Sequence, residues 1–207
     1  MNKSPRTGEA ASIRSELQSL SDSQKAVILA RFFKTGPGEY GYGDRFLGVV
    51  VPQIRSVVKA HRDAPLGEVR KLMHSTIHEE RLTALLILVE QYRRGDSSQK
   101  KDIYDLYLAS TAYINNWDLV DLTAQHIVGD YLAGKDTSIL TRLALSNSLW
   151  ERRIAMLSTY HFIRQGDSRE ALRIAELLLQ DFHDLIHKAV GWMLREVGKR
   201  CSIETEC

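Results

Sequence analysis

The 207-residue chain has only two cysteines, Cys201 and Cys207, and both lie in its last seven residues. That placement argues against a disulfide framework and against a cysteine-based metal site. Long apolar runs are also missing, since none approaches the ~18 residues of a membrane span. The N-terminal stretch MNKSPRTGEAASIRSEL has no hydrophobic signal core, which argues against secretion by that route and points to a cytoplasmic protein. Charge of one sign is scarce too. Lys and Arg number 28 against 26 Asp and Glu, for a net charge of +2 and a pI near 8.5. Such a balance permits a nucleic-acid partner without implying one, although residues 142–200 hold ten Lys or Arg against seven Asp or Glu. What remains is a folding composition, 43% hydrophobic and 26% charged, long enough for one large domain or two small ones.

The helical period recurs almost everywhere. DSQKAVILARFF opens with Ser21 and Asp22 as candidate caps, and VPQIRSVVKAHR carries Pro52 at a first-turn position. HEERLTALLILVEQYRR, WDLVDLTAQHIVGDYLA, LWERRIAMLSTYHFIRQ and DLIHKAVGWMLREVGKR each read as one helix, with short Gly, Asp and Ser connections between segments. Few segments alternate with period 2. A repeat is also present: residues 80–97 and 151–168, 71 residues apart, share eight of eighteen positions. Half that shift approximates one two-helix unit, and NWDLVDLTAQHIVGDYLAGKD fills the intermediate slot. Units of this kind bury their apolar faces only by stacking. The expected fold is therefore all-α, with HEAT-like helical repeats stacked into a curved α-solenoid. One domain is expected over residues 1–207, with 1–10 and 201–207 flexible.

The exception to helix is KTGPGEYGYGDRFLGV, where four glycines and a proline fall within residues 36–43. No Gly-Lys-Ser/Thr follows, so it is not a phosphate loop. It reads either as a connector or as a mobile loop presenting Tyr40 and Tyr42 to a ligand. Polar and aromatic groups recur near the starts of the repeat helices: Trp117 with Asp118 and Asp121, Trp150 with Arg152 and Arg153, and Trp192 with Arg195. Such groups suit stacking on sugars or bases and pairing with phosphates. Each also has a plainer reading. Trp192 and Trp150 fit a core, and Asp118 fits a helix cap. Asp121 shares a helical stripe with Trp117, and is either exposed on a groove wall or costly to bury. His74/His78 and His183/His187 have the i, i+4 spacing of a metal pair but lack the metalloprotease carboxylate, so no catalytic metal is expected. HEER at 78–81 reads as a helix start with Glu79 and Glu80 near its positive end.

In series, RFFKTGPGEYGYGDRFLGVVVPQIR, HEERLTALLIL, INNWDLVD, LWERRIAML and HKAVGWMLREVGK resemble the DNA alkylation repair family, the AlkD-like HEAT-repeat DNA glycosylases. The resemblance runs in order from about residue 20 to residue 200. It implies a basic concave groove gripping double-stranded DNA, and hydrolytic excision of cationic N-alkylated purines such as 3-methyladenine and 7-methylguanine. It implies no metal and no organic cofactor; a monomer without a membrane partner is expected. By motif, the family's aromatic and carboxylate pair falls on Trp117 and Asp121, its arginine on Arg153 with Arg152 the lesser match, and its second groove tryptophan on Trp192. Its tyrosine before FLG corresponds to Tyr40 or Tyr42. Asp121 would stabilise positive charge developing on the deoxyribose and orient a water, while Trp117 and Trp192 wall the sugar and Arg153 holds a phosphate. Family members usually continue past REVGKR with a further helical segment, whereas this chain ends at CSIETEC, so the end of the solenoid is expected to need a partner or another cap. The competing expectation is a non-catalytic HEAT-repeat scaffold that binds DNA or protein.

Overall fold

Helix starts follow the capping chemistry of the sequence. In the computed structural model, which describes residues 8–201, α1 spans Glu9–Ser19 and α2 spans Ser23–Phe32. Asp22 caps α2, its Oδ1 accepting from the backbone N–H groups of Gln24 and Lys25 at 3.0 Å each. α3 (Val51–Ala60) carries Pro52 in its first turn, where a missing N–H costs nothing. α4 (Leu66–Met73), α5 (His78–Arg94) and α6 (Ser97–Ala109) follow, the last opened by an Asp96/Gln99 capping box. After a 3₁₀ turn at Thr111–Tyr113 comes α7, Trp117–Asp121. The remaining helices are α8 (Asp130–Leu132), α9 (Ser138–Ala144), α10 (Leu149–Ser158), α11 (Tyr160–Arg164), α12 (Arg169–Leu178) and α13 (Asp184–Arg200). Among the described residues the one extended pairing is an isolated bridge between Arg45 and Ile77, so the fold is all-α. No described helix is long and apolar enough to cross a membrane. α1 begins inside the N-terminal stretch expected to be flexible; residues 1–7 and 202–207 lie outside the described part.

The chain divides into two compact units, Met1–Leu119 and Val120–Cys207, with the boundary inside α7. In the first, the middle of α5 is apolar on nearly every side, and a helical segment without a polar face belongs at the centre. All its residues from Leu82 to Val89 are buried, with α3 and α4 packed against it, α1 laid over α3 and α4, and α6 alongside. Burying each such Leu or Ile stabilises the unit by ~1.5–3 kcal/mol. In the second unit α10 takes the same place. Ile154, Ala155, Met156 and Leu157 are buried, and α10 packs on α9 and α13, while α12 packs on α9 and α13 in turn.

The 71-residue repeat is physical. Arg81 donates from Nη1 to the carbonyl of Ser75 at 2.9 Å, and Arg152 donates from Nη1 to the carbonyl of Ser146 at 3.0 Å. Ser75 Oγ accepts from Ile77 N, and Ser146 Oγ accepts from Ser148 N, both at 3.0 Å. In each copy an arginine in the first turn of the inner helix therefore ties down the bend leading into it.

Two segments depart from the single helices expected of them. LWERRIAMLSTYHFIRQ breaks at Thr159 into α10 and α11. Ser158 Oγ donates to Ile154 O and Thr159 Oγ1 to Met156 O, both at 2.6 Å, and such back-bonding competes with the helical ladder. WDLVDLTAQHIVGDYLA ends its first helix at Asp121, turns at Thr123, and resumes through a π-helical turn at Gln125–Gly129 before α8. That wider turn sets Gly129 against the Ser158 carbonyl, so close that a β-carbon there would collide with it.

Candidate functional site

In the first unit, the four residues His78, Glu79, Glu80 and Arg81 at the start of α5 each hold a different segment. Glu79 is buried, and its carboxylate accepts from the backbone N–H groups of Leu47, Gly48 and Val49, with the shortest contact 2.8 Å from Gly48. Gly48 adopts φ +84° and lies against the Asp22 carbonyl, which leaves no room for a side chain. The glycine-rich stretch is thus anchored where it meets α3. Glu80 accepts from Arg14 Nε at 2.9 Å and so fastens α1. Arg81 stands 2.8 Å from Asp44 as an ion pair, beyond its bond to Ser75.

His78 is the centre of this cluster. Its Nε2 lies 2.8 Å from Asp118 Oδ2 and its Nδ1 lies 3.3 Å from Asp44 Oδ2. Burial opposes the charged imidazole, but Asp118 and Asp44 outweigh it and raise its pKa from 6.5 to about 9, against a smaller opposing effect of Arg81. Burial would likewise raise the Asp44 carboxyl, yet His78 and Arg81 bring it below its ordinary value. The quartet Asp44, Asp118, His78 and Arg81 is neutral overall when the histidine carries its proton. Asn115 adds a donor to Asp44 at 3.3 Å. Asp118, expected to be the structural acid of INNWDLVD, also accepts from its neighbour Leu119 N at 2.9 Å.

Trp117 stands on this base. Phe33 and Phe46 stack at 5.3 Å, His78 lies 4.9 and 4.7 Å from their respective centroids, and Trp117 stacks on Phe33 at 5.2 Å. Phe32 meets Trp117 edge-on at 5.8 Å and is 60% exposed. The result is a half-buried indole beside an open phenyl ring, an aromatic shelf rather than a sealed core. Neither Phe32 nor His78 was singled out from the sequence for this role. A signal for Phe32 lies in α2 itself: its apolar residues spread around the helix, so they cannot all be buried, and none is. His78 gave no such signal, because its two acids lie 34 and 40 residues away in sequence.

In the second unit, Asp121 and Arg153 form a bidentate pair. Arg153 Nε donates to Oδ1 and Nη2 to Oδ2, both at 2.8 Å, and Nη1 donates to the Leu185 carbonyl in the first turn of α13 at 2.5 Å. Arg153 is only 5% exposed, while the Asp121 side chain keeps 16%. The fork fixes the carboxylate plane. Arg153, expected to meet a phosphate, thus has its guanidinium committed to protein acceptors. The same holds for Arg152, which binds Asp181 at 2.6 Å besides the carbonyls of Ser146 and Asn147. Trp192 is half-buried on α13 with its ring 5.9 Å from Tyr160, and Arg195 is exposed one turn further along. Trp150 is buried in α10. Tyr42 is 68% exposed, whereas Tyr40 is half-buried with Lys34 Nζ 6.0 Å from its ring. Among the described residues no three His, Cys, Asp or Glu side chains gather as a metal site.

Helix pairs in series define an all-α repeat protein, with an aromatic shelf in its first unit and a carboxylate locked by a buried arginine in its second. A family model described as DNA alkylation repair enzyme matches residues 13–205, and the chain belongs to that family, which gives it a role in DNA repair. A solved structure described as a predicted DNA alkylation repair enzyme from Enterococcus faecalis superimposes with a TM-score of 0.63 at 15% sequence identity, over 87% of this chain and 84% of that one. At that identity the likeness is one of fold. Among curated proteins none matches.

Proposed function

We propose that the protein is a monofunctional DNA glycosylase that hydrolyses the N-glycosidic bond of cationic N-alkylated purines in duplex DNA. The observation that carries this reading is the Asp121 carboxylate, held in one orientation by the buried Arg153 fork while 16% of its side chain stays exposed. A cationic base leaves with the bonding electron pair and becomes neutral, so no strong general acid is required. Positive charge then develops on the deoxyribose. An oriented carboxylate stabilises that charge without reorganising, and can align a water that adds to C1′ and gives up a proton. Arg153 acts through Asp121 in this scheme. Trp192 offers an aromatic face to the sugar, worth ~0.5–2 kcal/mol as a cation–π contact. Trp117 and Phe32 offer a second aromatic surface to the DNA, and Arg195 is left to meet a phosphate.

The test is release of 7-methylguanine from methylated duplex DNA in single-turnover conditions. Asp121→Asn should slow release by about a hundredfold, the range typical of losing one preorganised electrostatic group. Equal release by wild type and Asp121→Asn would sink the mechanism. One observation favours a second reading: both Asp121 oxygens are already paired with Arg153, as in a purely structural ion pair. A DNA-binding scaffold of that kind would shift lesion and abasic duplexes in a gel and yield no free base.

A further inference from the structure

His78 has no part in the chemistry just proposed, yet the first unit surrounds it with opposite charge and aromatic rings on the way to Trp117. We infer that His78, doubly protonated, is the positioning residue of the Trp117 wall, fixing Asp118 from one ring nitrogen and supporting the Phe33 ring on which Trp117 stacks. This inference rests on the reading of Trp117 as a surface that aligns bound DNA for base release.

The geometry requires the proton. A neutral imidazole has one N–H and one lone pair, so it can donate to Asp118 or to Asp44 but not to both. The other nitrogen would then turn a lone pair toward a carboxylate oxygen, at 2.8 or 3.3 Å. The groups facing His78 are Asp44 from the glycine-rich segment, Asp118 from α7, and Arg81 one turn along its own helix. Without the histidine proton these three leave one buried negative charge uncompensated. The quartet then relaxes by giving up the contact to Asp44, which holds Asn115 two residues before Trp117, or the contact to Asp118. Asp118 is the next residue in the chain, and its other oxygen holds Leu119 N, so a released Asp118 frees the first turn of α7. Phe33 lies between the two rings, 4.9 Å from His78 and 5.2 Å from Trp117. A histidine that only held the fold together would cost stability on losing its proton and leave the indole where it stands.

The experiment follows the indole. Trp117, Trp150 and Trp192 are the three tryptophans of the chain, so the double variant Trp150→Phe/Trp192→Phe makes Trp117 the sole emitter. Its emission maximum and iodide quenching are recorded across pH 6–10, beside the His78 imidazole signal in NMR. Both should change together, at one inflection. His78→Gln in that background should abolish the emission inflection, and Asp118→Asn should move it to lower pH. In otherwise wild-type protein, His78→Gln should slow single-turnover base release about tenfold or more, with DNA affinity kept within about threefold, because a displaced wall costs rate before it costs binding. Emission that stays constant through the imidazole titration, with the helical circular dichroism intact, overturns the inference. So does base release at the wild-type rate in His78→Gln. If wild type releases no base, the glycosylase reading fails instead, and the emission titration alone decides whether His78 sets Trp117. Should His78→Gln not fold, the Asp118→Asn shift carries the same decision.

Discussion

Alkaline pH should destabilise this protein through one histidine, and the size of the effect follows from the cluster around it. The folded state raises the His78 pKa from 6.5 to about 9. A group whose folded value is raised contributes stability that is complete below its unfolded value and is lost as pH climbs through its folded value. The window here runs from about pH 6.5 to just above pH 9. At ~1.4 kcal/mol for each tenfold change in proton affinity, the difference amounts to about 3 kcal/mol. For a chain of this size that corresponds to roughly 6–12 °C in Tm. Urea unfolding of wild type and His78→Gln at pH 6 and pH 10 isolates the contribution. His61 has a raised pKa too, between Glu9 and Glu16, but it is present in both proteins and cancels. Wild type should lose about 3 kcal/mol more than His78→Gln between the two pH values. Equal losses, or an imidazole that titrates near 6.5 in the folded protein, would refute the charged quartet.

Asp121→Asn should lower stability by ~1–3 kcal/mol in urea unfolding, because it leaves the buried Arg153 fork one good acceptor short; an unchanged midpoint would mean that the pair does not hold in solution. Glycine-to-alanine exchanges should differ in sign. Gly48→Ala and Gly129→Ala force a β-carbon into a backbone carbonyl and should cost more than ~2 kcal/mol. Gly191→Ala lies inside α13 with open space around it and should stabilise by ~0.5–1 kcal/mol, so a loss on thermal melting would contradict the packing described. Arg195→Ala should weaken DNA binding evenly across sequences and reduce the slope of log affinity against log salt by about one; an unaltered slope would remove Arg195 from the DNA contacts.

Much of this architecture was legible because helical period and caps are local. Asp22 and Pro52 start helices by contacts within one turn, and such contacts are written in adjacent residues. The two helix breaks were not legible. They depend on Ser158 and Thr159 choosing backbone acceptors, and on Gly129 meeting the Ser158 carbonyl 29 positions further along the chain. The candidate site divides the same way. Trp117 and Asp121 could be singled out from INNWDLVD, and its second acid could be read as structural. That Asp118 serves a histidine 40 positions earlier could not, since no period or spacing links the two. The glycine-rich stretch was read for its tyrosines, whereas its firmest tie to the rest of the unit is a row of backbone amides on Glu79.

The repeat carries one more lesson about the two adjacent arginines of LWERR. Arg152 stands 71 residues after Arg81, and both tie down the bend before their helix through the same carbonyl position. A charge shared by both copies is therefore explained by the scaffold. Arg153 stands where the first copy has Leu82, a buried apolar position at the centre of its unit. A guanidinium in a slot built for leucine costs several kcal/mol unless it is paired and hydrogen-bonded. The second unit supplies that pairing with Asp121 on one side and the Leu185 carbonyl on the other. Leucine would fill the same slot without requiring either partner, so the scaffold alone does not account for the arginine. The departure from the repeat, more than the charge itself, sets Arg153 and its carboxylate apart from the scaffold, in keeping with the role proposed for Asp121. Arg153→Leu with Asp121→Ala should accordingly fold at least as stably as wild type while releasing no base, and loss of folding in that pair would show the ion pair to be structural.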